Sequence, residues 1–238
     1  IRTARAAGIH VLVSRGGTCG LVLTAMPRGK SAPAKKYGAP LFFCSFASGH
    51  EDVLIAGGGG GSSTGVANRV MYVRARADEK EGPPTLPQLR DEPSCEVHTG
   101  KAAVVNGAWA PGSNVCVCIM SDPAEGLRKY RLKLSKEGAE EKPSLEKLSF
   151  DTAKALGDQE VKSIAVNSSG DRVACGLQNG GITILDLKSV EKKVAYKPEK
   201  TDKEAATTSV SFAPGGLGVV AVIDDGKRAV YWPAKEEK

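Results

Sequence analysis

A chain of 238 residues is long enough for one large domain or two small ones. It is 41% hydrophobic and 25% charged with only 5% aromatics, so a globular core must rest on Val, Leu, Ile and Ala. The formal charge of +6 is spread through mixed-sign runs such as 136–142 and 197–203, which excludes a single basic face and, with it, nucleic acid as the expected partner.

The first 36 residues are the exception. Arg2, Arg5, Arg15, Arg28, Lys30, Lys35 and Lys36 occur there with no acid, and residues 1–35 read as a basic, disordered segment. The apolar stretch 9–26 is broken by Arg15 and three glycines, so it suits neither a membrane span nor a signal peptide. The chain begins with Ile, which suggests a piece of a longer protein. Six cysteines form no CxxC pair and the three histidines are scattered. Cys44, Cys116, Cys118 and Cys175 lie in apolar, strand-like runs, so buried reduced thiols and a cytosolic setting are expected.

From residue 36 onward a repeat emerges. Phe46-Ala-Ser-Gly49 precedes Val53-Leu-Ile-Ala56, and Trp109-Ala-Pro-Gly112 precedes Val115-Cys-Val-Cys118. Val166-Asn-Ser-Ser-Gly170 precedes Val173-Ala-Cys-Gly176, and Phe212-Ala-Pro-Gly215 precedes Val219-Val-Ala-Val222. The anchors lie 63, 57 and 46 residues apart. In each unit a first strand ends on the bulky residue and a tight turn of Pro, Ser, Asn and Gly follows. The second strand is continuously apolar, as a strand buried on both faces must be. A third strand and a weaker outer one complete the unit, as in 180–187 and 192–196. Four strands every 40 to 60 residues point to an all-β, WD-repeat β-propeller rather than an antiparallel sandwich. Ile184-Leu-Asp186 stands where a Trp-Asp pair commonly sits. The predicted blades are 36–80, 95–150, 158–198 and 204–235. Four blades leave open sheet edges, so a partial propeller is expected.

The first blade carries an unusual loop, Val53-Leu-Ile-Ala-Gly-Gly-Gly-Gly-Gly-Ser-Ser-Thr-Gly-Val-Ala-Asn-Arg-Val70. A linker does not belong between strands of one sheet. A Walker loop needs the lysine of GxxxxGK[ST], absent here. A dinucleotide fingerprint needs a helix after the glycines, and 64–74 is a poor helix, with Asp78 alone near the ribose-binding offset. The remaining reading is an inter-strand rim loop. Gly57, Gly58, Gly59, Gly60 and Gly61 allow close backbone approach, and the carbonyls of such a loop can ligate a hard cation.

This string, from Val53 to Asn68, resembles the first-blade signature of the prolactin regulatory element-binding protein family, the WD-repeat exchange factors for the SAR-type small GTPase of the COPII coat. Lys36-Tyr-Gly-Ala-Pro-Leu41 resembles the run leading into that blade, especially in plant-like members. The resemblance is specific over 36–74 and loose to Trp232. It implies a propeller on the cytosolic face of the endoplasmic reticulum membrane, held by an anchor not present in this chain. It also implies that Gly65, Val66, Ala67 and Asn68 match the GTPase-contacting loop, shaped by a potassium ion bound by the backbone of residues 62–68. Ala67 replaces the family's proline, and Val66 replaces an isoleucine, one methylene fewer, worth about 0.8 kcal/mol if buried. A glutamate common in the family is Gly61 here.

The expected function is therefore guanine-nucleotide exchange without covalent chemistry. The alternative is a scaffold that binds COPII coat or membrane cargo during export. Asp186, Asp224 and Asp225 read as turn caps and His50 as a surface turn residue, while Trp109 and Trp232 are expected to fill inter-blade space. No triad has supporting spacing.

Overall fold

In a computed structural model the chain is described at residues 35–47, 52–61, 65–76, 88–137, 140–197, 206–223 and 227–233. Residues 1–34, Ser62 to Thr64, and the positions of His50, Asp78, Asp224 and Asp225 lie outside the described residues. The rest is almost all β, arranged as successive antiparallel sheets.

The first sheet contains β1 (Leu41–Phe46), β2 (Val53–Gly57), β3 (Asn68–Val73) and, after a two-stranded ribbon of β4 (Ala75–Arg76) and β5 (Gln88–Leu89), the outer strand β6 (Cys95–Gly100). The second contains β7 (Val104–Trp109), β8 (Val115–Met120), β9 (Leu127–Glu137) and β10 (Glu140–Leu148). A four-residue helix, α1 (Ala153–Leu156), leads to the third sheet, β11 (Val161–Val166), β12 (Arg172–Leu177), β13 (Ile182–Asp186) and β14 (Lys192–Tyr196). The last has three strands among the described residues, β15 (Ser209–Phe212), β16 (Gly218–Ile223) and β17 (Arg228–Pro233). One expected boundary is corrected: 95–100, placed by sequence at the head of the second blade, pairs with β3 and closes the first. Its half-exposed alternation is that of an outer strand rather than an inner one.

The repeated anchor has a geometric cause. In all four blades the residue after the first strand donates its N–H to the carbonyl five residues on: Ala47 to Asp52 (2.9 Å), Ala110 to Val115 (2.8 Å), Asn167 to Arg172 (3.1 Å) and Ala213 to Gly218 (2.9 Å). The motif glycines Gly112, Gly170 and Gly215 sit at φ of 68°, 73° and 69°, where a side chain is strained. Gly170 is doubly constrained, because an added Cβ would lie 2.4 Å from the Pro111 carbonyl of the neighbouring blade's turn.

In the second, third and fourth blades the bulky residue before the turn plugs the gap to the preceding blade, whereas Phe46 of the first is exposed. Trp109 is buried in a cluster with Leu54, Ala56 and Tyr72 of the first blade, and its indole N–H donates to the Ser113 carbonyl (2.8 Å). Val166 packs into the cluster holding Val117 and Ile119 of the second blade, and Phe212 into that holding Ala174 and Ile184 of the third. Trp232 fills the same last gap, with its ring 5.8 Å from that of Tyr196. Gly107 on β7 has no side chain because the Phe43 ring occupies that space, 2.8 Å from where a Cβ would be. Lys129 joins the second and third blades: its ammonium donates to the Leu187 carbonyl (2.9 Å) and lies 4.8 Å from the Phe150 ring centre. Burial holds that ammonium below its usual pKa.

The thiols divide by the same geometry. Cys116, Cys118 and Cys175 are buried, as the sequence implied, and desolvation raises Cys116 well above the usual thiol value and Cys175 to about 12. Cys44 is exposed, against expectation, because it lies on the face of β1 opposite Phe43, which packs on Gly107 of the second blade.

Candidate functional site

The loop that joins β2 to β3 separates the five glycines into different roles. β2 ends at Gly57, where an added Cβ would lie 1.9 Å from the Pro40 carbonyl oxygen, so the run before β1 crosses directly over it. Gly58 donates to that same carbonyl (3.0 Å) and has φ of 145°; its Cβ would lie 2.2 Å from the Asn68 side-chain oxygen. Gly60 has φ of 69° with open space around it. Gly61 is exposed and its Cβ would meet nothing. Two glycines are thus required by close approach and one by backbone conformation, while Gly61 is required by neither.

Asn68 holds the loop. It is 5% exposed, and its side-chain oxygen accepts from the Gly60 N–H (2.9 Å). Its amide nitrogen lies 3.0 Å from the carbonyls of Gly60, Gly100 and Lys101. One buried amide therefore ties the glycine turn to the end of β6 and to the passage into the second blade. Such a group costs about 1–3 kcal/mol when unpaired and fixes geometry when satisfied. Asn68, placed by sequence in the GTPase-contacting loop, turns its side chain inward as a tether.

The exposed part of the loop's end is correspondingly short. Gly65, at φ of 73°, and Ala67 are exposed, and Val66 is half-buried with its carbonyl accepting from the Gly59 N–H (3.4 Å). Next to the tether, Arg69 donates to the Tyr37 carbonyl (2.7 Å) and to Glu96 (2.9 Å), and the Tyr37 hydroxyl donates to the Arg90 carbonyl (2.8 Å). The run before β1, the glycine loop and β6 are thereby fastened together on one rim. Sequence alone gave no sign of the Arg69 clamp, since nothing local relates it to Tyr37, 32 positions away.

Among the described residues no cluster of three His, Cys, Asp or Glu side chains could hold a metal. The carbonyls of Gly60 and Val66 are already engaged within the loop, and Ser62 to Thr64, three of the seven residues in the expected ligand run, lie outside the described residues. Elsewhere, Asp186 caps a turn as expected, accepting from the N–H groups of Lys188 (2.8 Å) and Ser189 (2.7 Å).

No family model matches the chain, and no curated protein matches it. Solved structures do. The chain is similar to the β-propeller domain of Cps50 (Swd1) from Myceliophteria thermophila, with a TM-score of 0.51 and 14% identity over 82% of this chain and 53% of that one. It is also similar to Sqt1 of Chaetomium thermophilum, solved bound to the N-terminus of the ribosomal protein L10, with a TM-score of 0.53 and 14% identity over 82% of this chain and 43% of that one. The chain has the fold of a partial β-propeller. It spans about half the length of these neighbours. At this identity the likeness is one of fold, and the propeller's role has to be argued from its own residues.

Proposed function

We propose that this propeller acts as a protein-docking platform and that the rim loop 57–68 engages a SAR-type small GTPase as a guanine-nucleotide exchange factor. The reading rests on one observation above the others: Gly60 is tied to the buried Asn68 by two hydrogen bonds, and the exposed backbone at Gly61, Gly65 and Ala67 carries almost no side chains. A locally tied, bare backbone lets another protein approach closely without clash. The resemblance of 36–74 to the exchange-factor family supplies the partner, and the cytosolic face of the endoplasmic reticulum supplies the setting.

Exchange in this reading needs no covalent step. The loop, with Val66 at its centre, binds the nucleotide-free GTPase more tightly than the loaded one, and that difference drives nucleotide release. The test is release of a fluorescent GDP from a purified SAR-type GTPase with micromolar chain added, in potassium and in sodium buffer. Acceleration supports exchange. Binding of the GTPase with no acceleration in either buffer overturns exchange and leaves the scaffold that assists cargo export.

A further inference from the structure

Successive strands of a blade run in opposite directions, so the connection from second to third strand and the passage to the next blade leave from the same rim. The glycine loop lies on that rim, and so do the β8–β9 connection at 121–126 and the passage from β10 to β11 at 149–160. Between these last two opens a cleft of about 660 Å³, inside the roughly 300–1,000 Å³ range of ligand clefts. Both connections belong to the complete second and third blades, so the cleft is independent of what lies beyond either end of the sequence. Hydrogen bonds link it to the glycine loop. Asn68 is bonded to the carbonyls of Gly100 and Lys101, the preceding Thr99 carbonyl accepts from Arg128 (2.6 Å), and Arg128 pairs with Glu125 in the cleft wall.

The cleft has an apolar floor, formed by the buried Leu127, Phe150 and Leu156. Its charged groups are unevenly used. Arg128 is committed to Thr99 and Glu125, and Glu160 to Lys162 (2.6 Å). Asp151 and Asp158 are exposed and have no ion-pair partner among the described residues, against one remaining base, Lys147. Thr152 supplies a second kind of signal. It is 6% exposed and lines the cleft, yet its hydroxyl makes no capping bond to α1 and has no hydrogen-bond partner among the described residues. The hydroxyl oxygen faces Gly126 on the other wall, 3.4 Å from where a Cβ there would stand. An unpaired polar group this well buried is unfavourable, and a ligand that brings a donor relieves it.

We infer that this cleft receives an arginine side chain of a protein docked on the rim. The aliphatic stem lies along Leu127 and Leu156, and the guanidinium, a donor at every nitrogen, meets acceptors at Asp151, Asp158 and the Thr152 hydroxyl. An anionic group would face two free carboxylates and one free base. A neutral apolar side chain would fill the floor but leave Thr152 unpaired. The cleft is roomier than one side chain, which leaves space for the residues that flank the arginine. The chain as a whole carries +6, so a cation is drawn to this place by the local acids rather than by net charge.

The test titrates N-acetyl-arginine-N-methylamide into the isotope-labelled chain and follows its amide resonances by NMR. The amides of Gly126, Leu127 and Thr152 should shift together, with half-saturation at about 1–5 mM, the affinity of one anchored side chain. The glutamate and norleucine analogues should leave those amides unmoved up to about 20 mM. Asp158→Lys, at an exposed position that leaves folding unchanged, should weaken the arginine probe at least about fivefold. Thr152→Val, which keeps the shape and loses the hydroxyl, should weaken it about threefold. No shift with the arginine probe overturns the inference, as does an equal response to either analogue or undiminished binding in either variant. The probe involves no GTPase, so this result and that of the GDP-release assay stand or fall separately.

Discussion

The turn between the first and second strands and the loop between the second and third strands of the first blade are both glycine-bearing connections, yet they are built for different purposes. The first recurs four times with the same backbone bond spanning five residues, and its glycine sits near φ of 70° wherever it is described. What it fixes is where a bulky residue enters the gap between blades. The second occurs once. Its glycines face the Pro40 carbonyl and the Asn68 amide, and its ordering comes from a long-range tether to Gly100 and Lys101 rather than from a local turn bond. Repetition marks the connection that builds the propeller, and the departure from repetition marks the connection proposed here to meet a partner.

The contrast can be broken at single residues. The largest effect is expected at Gly58→Ala, which forces a Cβ into the Asn68 side chain at a backbone angle that disfavours it; a loss of about 3 kcal/mol or more should appear in urea unfolding. Gly170→Ala should come next, at about 2–3 kcal/mol, since it combines positive φ with a collision at Pro111. Asn68→Ala should cost about 2 kcal/mol and, unlike Gly170→Ala, should speed amide exchange selectively at Gly58 to Gly60. Gly61→Ala should change stability by no more than about 0.5 kcal/mol; a large loss there would mean the run is constrained as a whole.

The smallest effect is an acid one. The side chains of Ser169 and Asn167 hold the Asp171 carboxyl below its usual value. A depressed pKa contributes stability that is complete above the unfolded value, about 3.9, and is lost as pH falls through the lower folded value. Asp171→Asn should therefore flatten the acid limb of stability below about pH 4 and leave neutral stability little changed, because the group is exposed.

The propeller was legible because its cues are local. A bulky residue, a Pro/Ser/Asn/Gly turn and a continuously apolar strand each report burial within a few positions. The misplacement of Cys95–Gly100 arose where that locality fails: the chain leaves the first blade after β3, forms the β4–β5 ribbon and returns. Cys44 and Val220 sit in apolar runs like those of the inner blades, but their exposure depends on which face of the blade each takes and on what packs there, which no run of sequence encodes. At the candidate site, the glycines and their position between strands could be read directly. The inward turn of Asn68 could not, since its three carbonyl partners lie 8, 32 and 33 positions away.

The central claim, that the short exposed arc at Gly65, Val66 and Ala67 is where a GTPase is engaged, is tested most directly by Val66→Asp in the GDP-release assay. Val66 is half-buried at the loop's centre and takes no part in the Asn68 tether, so the variant should keep the parent's unfolding curve within about 1 kcal/mol. The account predicts that the parent accelerates release and that Val66→Asp lowers that acceleration at least about tenfold, the effect of about 1.4 kcal/mol at a contact. Equal acceleration by parent and variant would contradict it.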